Sequence, residues 1–298
     1  MRVCAIIPSH NHYKQLDKII KYLQKESLFV FIIDDGSDEP ARSALALLNN
    51  ASQNVLVHRL DANLGKGGAV IAGMRLAISA GFTHALQIDA DGQHDLSVLS
   101  EFLVLSEQYP ETIICGCSLY DSSAPLTRRI GRWITHIWVW IETLSFRIAD
   151  SMCGFRIYPL EAVQSLIEQE KIGRRMDFDT DILVRLFWRG VAPIMRPVRV
   201  IYPPENTSNF NLVEDNWRII KMHTRLVLTL LWRLPKILSH RPPSIEETRR
   251  WSLLSERGVY WGMKLCSFLC RGLGRRGRRI FLAPIVLYFY ITGSVQRQ

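Results

Sequence analysis

The sequence carries six cysteines but no Cys-x-x-Cys pair and no cysteine–histidine spacing that would cradle zinc. That excludes a zinc ribbon and a dithiol redox motif, and it predicts reduced thiols in a cytosolic compartment. Cys115 and Cys117 are one residue apart on an expected strand and so point to opposite faces. No secretory leader is legible, because the apolar stretch Val3–Ile7 ends at Pro8, well short of a signal core. The Asn206-Thr207-Ser208 sequon is therefore expected to go unused. Long hydrophobic runs are also missing: Ile280–Ile291 is twelve residues, against the roughly 20 that cross a bilayer as a helix. There is no internal repeat and no low-complexity tract, and 48% apolar residues against 22% charged excludes a disordered chain.

The body of the chain also lacks net charge. Residues 1–235 hold 25 Lys/Arg and 25 Asp/Glu, whereas Lys236–Gln298 holds 12 against 3, so the whole formal charge of +9 belongs to the tail. The tail's basic residues interleave with Trp251, Trp261, Leu265, Phe268, Phe281, Leu287 and Phe289. That mixture suits an anionic membrane surface and not nucleic acid. Arg275, Arg276, Arg278 and Arg279 sit just before the short apolar run, as in a segment lying in the interface. The expected organisation is a catalytic domain at 1–235, a linker at 236–250 around Pro242-Pro243, and a helical tail at 251–298. The expected location is peripheral, on the cytoplasmic face of a membrane.

What is present in the body is strand–helix alternation. Apolar runs at Val3–Ile7, Leu28–Ile33, Val55–His58, His84–Ile88 and Ile113–Cys117 read as strands. Helical spacing follows at Leu16/Ile19/Ile20/Leu23, Ala41–Leu48, Gly68–Ala80, Thr127–Phe146, Asp177–Trp188 and Asn216–Leu238, the last ending near Pro235. Continuous apolar strands between helices predict an α/β domain with a mostly parallel sheet covered on both faces. In such sheets chemistry collects at the carboxyl ends of strands. There the sequence places Ser9-His10-Asn11, Asp34-Asp35 and Asp89-Ala90-Asp91.

Two carboxylates flanking one residue at a strand end can turn toward a hard cation, Mg²⁺ or Mn²⁺, leaving positions free for phosphate oxygens. Standing alone, Asp-x-Asp is more often a solvated or helix-capping loop. Asp34-Asp35-Gly36-Ser37 can accept hydrogen bonds from a base or ribose, or simply turn the chain. Asn63-Leu64-Gly65-Lys66-Gly67-Gly68 precedes a helix and offers glycine backbone, a helix N-terminus and one cation to an anion. It is not a Walker A loop. In Asp150–Arg156 a glycine between Cys153 and Phe155 suits a loop under a ligand, with Arg156 on phosphate or in a structural ion pair. Of Asp177, Asp179 and Asp181 at a helix start, Asp179 fits the N-cap best. Asp181, with Asp179 second, fits a general base for an acceptor hydroxyl.

In this order the motifs resemble family 2 glycosyltransferases, within them the dolichyl-phosphate mannose synthase-like branch. The resemblance rests on Ile6-Ile7-Pro8-Ser9-His10-Asn11, Ile33–Ser37, Asn63–Gly67, Asp89-Ala90-Asp91-Gly92-Gln93-His94 and Asp150–Arg156, and covers about residues 1–235. It implies a GT-A fold, a metal held by Asp89 and Asp91 with Gln93 close by, and a nucleoside held by Asp35 and the Pro8-Ser9-His10-Asn11 segment. Lys66 with Gly65, Ala90 and Arg156 would complete the donor-binding set, and Asp181 would lie on the acceptor side. Two features depart from the pattern. Asn209 stands in Ser208-Asn209-Phe210 where many relatives have histidine, and the Gln-x-x-Arg-Trp signature of processive synthases is missing, which implies a single transfer. The tail (Trp251, Glu256-Arg257-Gly258, Gly272–Arg276, Pro284–Gly293) resembles the start of lipid A lauroyl-type acyltransferases without their His-x4-Asp motif, which suggests a downstream acyltransferase as a partner. The resemblance as a whole implies metal-dependent, inverting transfer of one sugar from a nucleoside-diphosphate donor to a lipid-linked or lipophilic acceptor at a membrane. Two alternatives are a weakened nucleotide-sugar-binding protein and a membrane scaffold.

Overall fold

The computed structural model describes residues 1–51, 54–119, 126–200 and 212–239. The expectations for the sequon, Ser208-Asn209-Phe210, the linker and the tail concern residues outside these. The described residues all fall within one compact unit, Met1–Arg249.

Strands β1 (Val3–Ser9), β2 (Phe29–Asp34) and β3 (Val55–Arg59) alternate with helices α1 (Leu16–Lys25), α2 (Ala41–Ala51) and α3 (Lys66–Ser79). Then come β4 (His84–Gln87), a 3-10 turn at Leu96–Val98, α4 (Leu99–Gln108), β5 (Ile113–Leu119) and α5 (Leu126–Thr143). The series ends with β6 (Arg156–Pro159), α6 (Leu160–Gln169), α7 (Phe178–Trp188), β7 (Pro193–Arg199) and α8 (Leu212–Ser239). The seven strands are ordered β3-β2-β1-β4-β6-β5-β7. The β1–β2, β2–β3, β1–β4 and β5–β7 pairs are parallel.

The apolar continuity of the strands has its expected cause, a hydrophobic layer on each face. Along β1, Cys4 and Ile6 enter one core, shared with α3, α6, α7 and α8, while Ala5 and Ile7 enter the other, shared with α1 and α4. Helix α1 shows the matching stripe: Leu16, Ile19, Ile20 and Leu23 are buried.

Three features differ from expectation. Strand β6 runs antiparallel between β4 and β5, pairing Arg156 with Gln87. Its four residues begin with a charged side chain at the end of a presumed loop, so no periodicity marked it. Helix α8 continues through Pro235 to Ser239. Proline frees only the carbonyl four residues back, that of Leu231, which lies on the exposed side of the helix where water can take it. The N-cap of α7 is Asp177, without a side-chain capping bond, and Asp179 lies inside the first turn. The cap expected at Asp179 is therefore not formed, because that carboxylate is engaged elsewhere.

The strand order reverses between β1 and β4. The chain lays β2 and β3 on one side of β1, then crosses by α3 to start β4 on the other. Loops leaving the carboxyl ends of β1 and β4 diverge there and leave a crevice. Asp89 and Asp91 follow β4, Ser9–Asn11 follow β1, and Lys66 opens α3 beside them.

Candidate active site

Lys66 organises the crevice. Its ammonium lies 2.8 Å from Asp89 Oδ1, donates to Asp89 Oδ2 at 2.9 Å, and lies 2.8 Å from Asp179 Oδ2. Burial alone would lower its pKa, but Asp179 and Asp89 outweigh that and hold it raised, so Lys66 stays charged. Asp89 shows the mirror effect. Burial pushes its carboxyl up, Lys66 pulls it down, and the net position is below the ordinary range. Asp91, pushed up by burial and by neighbouring Asp89, accepts from the Gln93 amide at 3.0 Å.

The floor of the cluster is a backbone. A β-carbon added at Gly154 would fall 2.7 Å from Asp89 Oδ2 and 2.8 Å from Lys66 Nζ, so any side chain there would push the carboxylate and the ammonium aside. Asp150 shapes that loop by accepting from the amides of Ser118, Met152 and Cys153 at 2.9, 2.9 and 3.2 Å, and from Arg132. Burial would raise its pKa, yet Arg132 and the amides bring it down to about 2.

Asp179 is held from below as well as by Lys66. Gln87 Nε2 donates to its Oδ1 at 2.8 Å, and Tyr158 donates to Gln87 at 3.1 Å. Gln87 is wholly buried. Sequence reasoning missed it, although a polar residue closing an apolar strand was the available signal.

The loops at the ends of β1 and β2, where the nucleoside is expected, are knitted together. His10 Nδ1 lies 2.9 Å from the Asp35 carbonyl, the Asn11 amide donates to Ser37 at 2.9 Å, and Asn11 accepts from the Asp38 amide at 2.8 Å. Ser9 donates to the His12 carbonyl at 2.6 Å, and Pro8 lies in register with Ile33 in the sheet. Asp35 accepts from the amides of Leu64 and Gly65 at 2.6 and 2.9 Å, tying the glycine loop to β2. Asp34 is paired with Arg59.

Several expected roles move. Arg156 is not offered to phosphate: it is wholly buried and donates to the carbonyls of Asp179 and Ser151, both at 2.6 Å. It clamps the first turn of α7 to the Asp150–Gly154 loop. Gly65, with φ +84°, faces protein, since a β-carbon there would meet Arg175 at 2.5 Å and the Arg174 carbonyl at 2.7 Å. The Ala90 methyl sits in the core, so only its backbone can face a ligand. Asp181 is wholly buried, with Arg185 donating at 2.6 Å, the Gly173 amide at 2.8 Å, and Arg225 at 2.5 Å. With both oxygens taken by two guanidiniums and an amide, it is placed to hold α7 and α8 together and not to accept a substrate proton.

The residues that can hold a cation are Asp89 and Asp91. Among the described residues no group of three or more His, Cys, Asp or Glu has metal-binding geometry, so a hard ion here would need oxygens from its ligand. The donor chemistry fits such an ion. Asp89 Oδ1 is buried, and its close partner is the Lys66 ammonium at 2.8 Å, which leaves the ionised carboxylate lone pairs for a hard ion. Gln93 follows on the same turn, with its backbone amide on Asp91.

A mostly parallel seven-stranded sheet with acids at its switch point, over a glycine floor, matches the GT-A type of fold. The S. aureus TarS 1-349 structure in complex with UDP-GlcNAc has the same fold, with a TM-score of 0.55 at 13% identity over 76% of this chain and 67% of that one. Residues 4–171 match glycosyl transferase family 2, so the chain belongs to that family and is a glycosyltransferase. Among its relatives, the dolichyl-phosphate beta-glucosyltransferase of Dictyostelium discoideum is 31% identical over 202 residues, 60% of this chain and 60% of that protein. The undecaprenyl-phosphate mannosyltransferase of Micrococcus luteus is 25% identical over 209 residues, 67% of this chain and 84% of that protein.

Proposed function

We propose that the chain transfers one sugar from a nucleoside-diphosphate sugar to a lipid-linked phosphate, with inversion, assisted by Mg²⁺ or Mn²⁺. The observation that carries the reading is the Asp89–Lys66–Asp179 cluster at the sheet's switch point. It offers a fixed cation and an anionic pair where a diphosphate would lie. Asp89 and Asp91 would hold the metal, which when bound neutralises charge on the departing diphosphate. Lys66 keeps Asp89 ionised and adds a second positive charge on the same side. The walls built by Pro8–Asn11 and Asp35 are held by their own hydrogen bonds, which limits the freedom lost on binding a nucleoside.

The state of the acids supports this acceptor class. Asp181 is saturated by Arg185, Arg225 and the Gly173 amide, and Asp179 is engaged by Lys66 and Gln87. An acceptor hydroxyl needs a base, whereas a phosphate oxygen is already anionic and needs none. The polyprenyl-phosphate acceptors named in the Dictyostelium and Micrococcus relatives support the same choice. The acceptor oxygen would attack the anomeric carbon from the face opposite the diphosphate. The C–O bond to the diphosphate breaks as the new one forms, which inverts the centre.

Thermal unfolding with UDP-, GDP- and dTDP-sugars, each with and without Mn²⁺, tests the donor. A ligand at 100 times its dissociation constant adds about 2.7 kcal/mol. Stabilisation by one donor series, deeper with Mn²⁺, is expected. No shift with any donor would remove the reading, and an equal shift without metal would remove the metal.

A further inference from the structure

The two helices that close one side of the domain expose rows of large apolar side chains. On α5 these include Trp133, Ile137, Trp138 and Ile141, at helical spacing. On α8 they include Trp217, Ile220, Leu228 and Trp232, the last 88% exposed. Opposite these rows, Val139 of α5 and Met222, Leu226 and Leu230 of α8 lie in the core. The seam between the helices is closed by Trp138 stacked on His223, with ring centroids 6.1 Å apart, and by His223 against buried Glu142 at 2.7 Å. Contiguous exposed apolar surface of this kind marks an interaction site.

Charge decides the partner. Along α8 the described cations are Arg218, Lys221, Arg225 and Arg233; the acids Glu214 and Asp215 stand at its first turn and pair with Arg218, and from Asn216 to Ser239 there is no further acid. Glu142 is buried beneath the surface, as is Asp181, the partner of Arg225, and the side chain of Glu170, the partner of Arg233, is 7% exposed. Arg225 and Arg233 themselves are 44% and 39% exposed, and Lys221 lies over the Trp217 ring at 5.2 Å. Toward solvent the face presents tryptophan, aliphatics and cations. A second copy of this face would meet it with like charge, and so would residues 236–298, which carry the +9 surplus. The complement is anionic and apolar together.

We infer that the α5–α8 face docks on an anionic lipid bilayer, with the tryptophans in the headgroup layer and the cations at the phosphates. No described helix is long and apolar enough to cross a membrane, so attachment through this face is lateral. The inference deepens the proposed lipid-phosphate acceptor but stands on the surface alone.

The test uses the full chain, sedimented with vesicles of phosphatidylcholine alone or with phosphatidylglycerol. Binding is expected to the anionic vesicles, weaker in high salt. Trp217→Ala/Trp232→Ala should weaken it by about tenfold or more, with an unchanged unfolding midpoint, since both side chains are largely exposed. Leu228→Ser/Leu231→Ser should act in the same direction. A third variant neutralises Arg275, Arg276, Arg278 and Arg279 in the tail. No binding by the native chain, or native-like binding by both face variants whatever the tail variant does, overturns the inference. Donor-induced thermal shift measured on the same variants should stay unchanged. Its loss in the native chain would count against the catalytic reading and leave the docking result standing.

Discussion

Asp181 and Asp179 are two residues apart on one helix turn, and their surroundings assign them different work. Asp181 neutralises Arg185 and Arg225 in a buried setting, so Asp181→Asn leaves two guanidiniums short of a partner. Denaturant unfolding should show a loss of about 3 kcal/mol or more, while donor binding by the folded fraction stays near native. Asp179 faces Lys66 in the crevice. Asp179→Asn releases one of the two acids that hold the ammonium, and initial rates should fall more than stability. Asp91→Asn removes one of two proposed metal ligands. Turnover should drop roughly a hundredfold or more, with a higher Mn²⁺ requirement in a metal titration. Turnover near native, unaffected by EDTA, would sink the metal assignment.

At the scale of elements, the Asp150–Gly154 loop is the piece on which the site rests. Gly154→Ala puts a methyl into Asp89 and Lys66. The fold should survive, because the loop is held by Asp150 and Arg156, but displacement of the carboxylate by a fraction of an ångström should cost about a hundredfold in kcat. Asp150 itself links the loop to β5 and α5. Its folded pKa of about 2 lies below the roughly 3.9 of a free aspartate. Its stabilising contribution is therefore complete above about pH 5 and is lost as pH falls toward 2, and amounts to about 2–3 kcal/mol. Urea unfolding of the native chain and Asp150→Asn should differ clearly at pH 7 and much less at pH 3.

For the molecule as a whole, burial dictates the state of the thiols. Cys4, Cys115 and Cys117 are each pushed up to about 12, with desolvation as the largest cause. They should resist an aromatic disulfide reagent in the native chain and react promptly in urea. Prompt reaction of all three in the folded chain would mean that the sheet opens far more easily than its two cores suggest. Charge is the other property that shows only at this scale. Counted over residues 1–235 the body is neutral, yet the fold leaves Arg225 and Arg233 of α8 partly exposed and turns the carboxylates of their partners Asp181 and Glu170 inward. A linear count averages over both.

The sequence by itself determined the α/β alternation, since continuous apolar strands between amphipathic helices leave few other packings. It also determined which loops carry the chemistry, since acids at the ends of β2 and β4 and the glycine run before α3 are local features. Tertiary structure alone decided the partners. Lys66 meets Asp179 across more than a hundred residues, Gln87 supports that acid from a neighbouring strand, and Arg156 turns inward because β6 runs antiparallel beside β4. Side-chain orientation at such places depends on which strands become neighbours, and that is set by long-range pairing, which leaves no periodic mark in four residues such as Arg156–Pro159.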